Sequence, residues 1–187
     1  MRALSAMLGG LALGFAITAA TLRSDYGFGA FRAGPWTAWP RVGGPDIDPY
    51  ARAALARRGE APLGHDEGLM FVASADSSGQ PLRGGCDYRV DSQLPAARFW
   101  TLELASSSGA PLTNPTGRFG YTSANILRRE GGSFELAISR NARPGNWLSP
   151  GQASSFAMVL RLYETPLDTT TRADPARFPA IVKLGCA

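Results

Sequence analysis

Lysine, histidine and cysteine are almost missing from this chain of 187 residues. Lys183 and His65 are each the single residue of their kind, and the cysteines are two, Cys86 and Cys186. So few soft ligands exclude a multi-cysteine zinc site and a dense disulfide framework. Charge is sparse as well, at 18% of residues, where about a quarter is usual. All basic residues but one are arginine, and only Arg57–Arg58 and Arg128–Arg129 are adjacent pairs. Nucleic-acid binding needs clustered cations and a recognisable module, and neither is present. The glycines at 27, 29 and 34 fail the spacing of a dinucleotide loop, and no G-x-S-x-G elbow presents a nucleophile.

Apolar residues are plentiful at 44%, enough for a real core in a chain of 19.8 kDa. With 22 glycines and 14 prolines, the composition favours a turn-rich β fold over a helical bundle. The expected organisation is an N-terminal segment over residues 1–23, a linker over 24–45 and one folded domain over 46–187.

Residues Ala3 to Leu22 form a run of twenty positions without a charge. As a helix this run is about 30 Å long, the thickness of the hydrocarbon core. A cleaved signal peptide is the other reading, but its apolar stretch is shorter and its cleavage site clearer than Thr18-Ala19-Ala20. Either way the remainder crosses a membrane, and the most economical arrangement puts the domain in the bacterial periplasm. Arg2 and Arg23 flank the run, so the positive-inside bias is nearly balanced. Gly10 and Gly14 make a small-residue face, which offers a weak homodimer contact in lipid.

The linker carries Tyr26, Phe28, Phe31, Trp36 and Trp39. A plain spacer would be polar, so this one is expected to lie against the domain or the membrane interface. The clearest helix follows: Asp48 as N-cap, Pro49 at the first helical position, PYARAALARR as body and Gly59 as stop. From residue 67 onward short β runs alternate with turn signals. Strands are expected at 69–73, 86–90, 98–104, 117–123, 125–129, 133–139 and 155–163, with turns at Asp76-Ser77-Ser78-Gly79, Ser106-Ser107-Ser108-Gly109 and Glu130-Gly131-Gly132-Ser133. The expected fold is mainly β, an antiparallel jelly-roll-like sandwich with one short helix, preceded by a single transmembrane helix.

Several of these segments carry a resemblance. Asp48-Pro49-Tyr50-Ala51-Arg52-Ala53, Glu67-Gly68-Leu69, Phe99-Trp100-Thr101 and Asn146-Trp147-Leu148 followed by Leu160-Arg161-Leu162-Tyr163 resemble the DUF1214 family. The likeness extends over roughly residues 36–186. It implies a jelly-roll-like domain in a small anchored or exported bacterial protein. The DUF1254 domain of longer relatives is absent, and no catalytic residue is carried over, since the family has no settled activity. Each motif also has a structural reading. Trp100 and Trp147 suit a core, Asn146 a turn, and Arg161 a surface ion pair.

Two cysteines in an exported chain usually pair, so a Cys86–Cys186 disulfide is expected to tether the C-terminal strand. His65-Asp66-Glu67 is the one cluster resembling a site, but neighbours on a strand diverge, and an exposed turn histidine is the simpler reading. Asp46 and Asp48 would suit calcium, yet Asp48 is better placed as the cap. No catalytic residue, metal or cofactor is assigned. The functional expectation is a non-catalytic binding or accessory module of the cell envelope. Its partners would be the membrane, through the helix, and an envelope protein or glycan. The alternative is an envelope enzyme acting on glycans or esters through carboxylates such as Asp66, Glu67 and Asp87.

Overall fold

The structure is a computed structural model that describes residues 2–23, 29–107, 109–114, 116–167 and 174–186. Tyr26 and Phe28 of the linker, and Ser108 of the turn at 106–109, lie outside the described residues. The apolar N-terminal run is a single helix, α1 (Arg2–Arg23), and it contains the expected span.

The rest is mainly β, in two sheets. The larger has six strands in the order β1 (Phe31–Ala33), β2 (Trp36–Ala38), β3 (Gly68–Ala73), β9 (Ala157–Tyr163), β5 (Phe99–Ala105) and β6 (Gly120–Thr122). Every pair in it is antiparallel. The smaller has the order β10 (Ile181–Cys186), β4 (Cys86–Asp91), β7 (Glu135–Ile138) and β8 (Asn146–Leu148). Its β7–β8 pair is parallel, so this sheet is mixed rather than wholly antiparallel.

Alternation along the strands makes one core between the sheets. In β5 it is Trp100, Leu102 and Leu104 that turn inward, as their spacing predicts. Phe71, Leu160 and Leu102 stand in register across β3, β9 and β5. They share a single cluster with Tyr88, Leu136 and Ile181 of the smaller sheet. Gly68 explains its own motif, because a Cβ there would lie 2.0 Å from the Leu162 carbonyl oxygen.

Three expectations change. Residues 31–38, within the expected linker, form the β1–β2 hairpin, and β2 pairs with β3. Trp36 is fully buried and its indole N–H donates to the Pro179 carbonyl at 2.8 Å. Residues 125–129 form no strand. The Asn125 side chain accepts from the Thr122 N–H at 2.7 Å and closes a turn there. Trp147 is only half-buried, with its indole N–H donating to the Ser139 carbonyl, while Asn146 opens a strand and faces inward beside Leu148. Gly145, at φ 79°, supplies the bend that Asn146 was expected to make.

The helix α2 (Pro49–Arg58) is as read from sequence. Asp48 accepts from the Tyr50 N–H at 2.7 Å, and Gly59 ends the helix at φ 65°. Ala51, Ala54 and Leu55 are buried beneath it. Cys86 and Cys186 are joined as a disulfide, directly opposite each other in the β4–β10 pair.

Candidate functional site

The outer face of the six-stranded sheet is covered by no second sheet, yet part of it is withdrawn from water. The strand β9 reads AMVLRLY, and its outward residues Ala157 and Val159 are 6% and 5% exposed. Above them α2 crosses one end of the face. Its Ala51 and Leu55 pack with Val42 as a second small cluster, against which Trp39 and Met70 rest. After Gly59 the chain turns back, with the Glu60 N–H donating to the Leu55 carbonyl. The opposing wall is the turn after β5, closed by Gly109 N–H on Ser106 and Ser106 N–H on Ala110.

Between these walls lies a cavity of about 390 Å³, floored by Thr37, Met70, Val72, Val159 and Arg161. Glu60 reaches across it. Gly109 has φ 84°, a left-handed conformation that favours glycine, and the Glu60 Oε1 lies where a Cβ would project, 2.1 Å away. At the floor the Arg161 guanidinium is ion-paired with Glu103 of the neighbouring strand, as its outward position predicts. A second depression of about 350 Å³ adjoins the first, sharing Ala105 and Gly109 and continuing to Pro111 and Phe119.

Residues singled out from sequence lie elsewhere. His65, Asp66 and Glu67 form an exposed turn before β3, where a Glu67 carboxylate oxygen accepts from the Gly64 N–H at 3.0 Å. Asp87 belongs to β4 in the other sheet and pairs with Arg143. The three carboxylates of the enzyme alternative are therefore divided between a turn at the larger sheet and a strand of the smaller one. Among the described residues, no three His, Cys, Asp or Glu side chains are grouped to hold a metal ion. Of the groove residues, Trp39 and Arg161 were singled out from sequence, but not as parts of one site. The groove's signal was the near-continuous apolar run of β9, which marks a strand covered on both faces.

Two carboxylates are held below their ordinary pKa. Burial would raise Asp76, but hydrogen bonds from the Ser78 hydroxyl and the Gln80 and Ser78 N–H groups, with the charge of Lys183, outweigh it. For Asp87 the hydrogen bond from Ser139 is the largest influence, and Arg143 adds to it against the effect of burial. Both serve the smaller sheet and its turns rather than the groove.

A family model described as "Protein of unknown function (DUF1214)" matches residues 67–167, just over half of the chain. Among curated proteins none matches. Among solved structures, the VPA0106 protein from Vibrio parahaemolyticus is similar with a TM-score of 0.57 at 20% identity, over 74% of this chain and 36% of its own. An uncharacterised protein from Burkholderia cenocepacia is similar with a TM-score of 0.46 at 19% identity, over 91% of this chain and 49% of its own. The chain thus spans between a third and a half of the length of these structures.

Proposed function

The chain belongs to the DUF1214 family, and from that premise we infer that it is a membrane-tethered, non-catalytic binding domain of the bacterial envelope, with the groove on its larger sheet as the binding surface. The groove carries this reading: a cavity of about 390 Å³ over a sheet face falls in the size range of small-molecule sites. Its lining mixes aliphatic side chains with polar and charged ones, Thr37, Glu60 and the Arg161–Glu103 pair among them, which gives a ligand both apolar contact and hydrogen-bonding groups. Tethering is supported by α1, whose stretch Arg2–Thr21 is long and apolar enough to cross a membrane and is not buried against the rest of the fold. The Cys86–Cys186 disulfide supports an oxidising compartment, here the periplasm.

Native mass spectrometry of the full chain, extracted from membranes in mild detergent, tests it. Wild type is expected at full length with one small-molecule adduct, and with no alkylation until reductant is added. Val72→Trp, which fills the groove, is expected at the bare mass. A bare mass in both would remove the binding reading. A shortened soluble chain would remove the tether, and alkylation without reductant would remove the compartment.

A further inference from the structure

We propose that the outer face of the larger sheet holds a neutral glycan, an extended chain of pyranose rings lying along β9. This rests on the binding reading above and names its ligand class. Polarity is the first ground. The groove sets Met70, Val72, Val159 and the Trp39 ring beside Thr37, Ser74, Glu60 and Arg161. A pyranose ring has the same division, with apolar C–H faces and a girdle of hydroxyls. An alkyl chain would strip water from the polar half of this lining and replace none of its hydrogen bonds. An added peptide strand needs a sheet edge, whereas β3 and β9 are inner strands and the edges are β1 and β6.

Charge is the second. Arg161 is ion-paired with Glu103, and Arg58 and Glu60 are engaged in contacts of their own. The charged side chains that line the groove are thus all spoken for, and the ligand they suit carries no net charge. A paired guanidinium and carboxylate still have N–H donors and oxygen lone pairs to spare. Fixed side by side, Glu103 accepts from one hydroxyl while Arg161 donates to the next, as vicinal hydroxyls on a ring require.

Extent is the third. The outward residues of β9 are Ala157, Val159, Arg161 and Tyr163, a line about 20 Å long at the usual strand rise. Arg161 stands opposite Thr101 of β5, and Tyr163 stands opposite Phe99. The Tyr163 and Phe99 rings are half-buried, with centroids 5.8 Å apart and planes inclined at 52°. The line therefore runs from an aliphatic floor, past a paired charge and a hydroxyl, to an aromatic step. That sequence offers apolar contact to successive ring faces and a few fixed polar groups to their edges. A track along one strand is straight, so the linkage it fits keeps the rings in a ribbon, as β-1,4 links do and α-1,4 links do not.

The full chain, held in lipid nanodiscs free of glycoside detergent, is titrated with cellotetraose, chitotetraose and maltotetraose by isothermal calorimetry. At least one of the two β-linked tetramers is expected to bind, and maltotetraose is not. Thr101→Val, which exchanges a hydroxyl for a methyl of like size, is expected to weaken binding about fivefold, the worth of one neutral hydrogen bond. Val72→Trp, and Arg161→Leu made together with Glu103→Leu, are expected to abolish binding while thermal unfolding stays cooperative. Failure of both β-linked tetramers to bind would overturn the proposal. So would equal binding of maltotetraose, or binding that Thr101→Val and Val72→Trp leave unchanged. A co-purifying adduct that is not a glycan, with no tetramer bound, would retain the groove as a binding site and end this proposal. A bare native mass together with no glycan binding would remove both.

Discussion

Asp76 is 2% exposed and is the one buried acidic side chain among the described residues. One carboxylate oxygen gathers the Ser78 N–H, the Ser78 hydroxyl and the Gln80 N–H at 2.9, 2.6 and 3.0 Å. Asp76→Ala is expected to lower unfolding stability by about 2–3 kcal/mol, from the usual worth of hydrogen bonds to a charged acceptor, measurable by urea denaturation. The pKa is lowered from 3.8, so the ionised group's contribution is complete above that value and is lost as pH falls through the lower folded value. Asp76→Asn, which cannot titrate, is expected to show a shallower loss of stability in acid than wild type. An equal slope would mean that Asp87 and other groups carry the acid sensitivity. The turn Asp76-Ser77-Ser78-Gly79 was legible because an Asx turn is local. The burial of its carboxylate was not, because it depends on β10 passing overhead, where Ser77 exchanges hydrogen bonds with Ile181 from 104 residues away. Asn146 was misread for the same reason. Its side chain clasps both Leu127 backbone groups and the Glu135 carbonyl, partners that no short window contains.

At the scale of elements, α2 could be read from sequence almost to the residue, since Asp48, Pro49 and Gly59 act within a few positions. The strands of the core were legible by their alternation, as in β3, β4 and β5. Of the three-residue strands, β6 fell within the expected 117–123, while β1, β2 and β8 were missed, because so short a run carries little period and is made by its neighbours. The most exposed strand is β10. Beyond Ile181 its side chains are half-buried or exposed, and its register slips between Lys183 and Gly185. Its attachment therefore depends on the disulfide, which spans 100 residues. Replacing Cys86 and Cys186 by serine is expected to cost about 4–5 kcal/mol on the chain-entropy account. Hydrogen exchange should locate the loss: amides of Val182–Gly185 exchange faster than those of β9. Protection of β10 equal to wild type would show that its hydrogen bonds hold it unaided.

At the scale of the whole molecule, the family match at 67–167 stops short of what the fold needs. It omits β1, β2 and α2 on one side and β10 on the other, so both sheets would lose strands. A chain cut to those residues is expected to show no cooperative thermal transition by circular dichroism, whereas residues 29–187 unfold in one step. Trp36 indicates why, since its indole joins the first hairpin to Pro179 across 143 residues. The groove is likewise a property of the whole. Its floor comes from β2, β3 and β9, its walls from α2 and the turn after β5, and no segment announces it alone.

The place of β9 also sets an order in time. It lies between β3 and β5, and it is the last strand of the larger sheet to occur in the chain. A polypeptide synthesised N-terminus first presents β3 and β5 with no neighbour between them until residues 157–163 arrive. Contacts of such long range close slowly. The larger sheet therefore closes late, once residues 157–163 are delivered between β3 and β5.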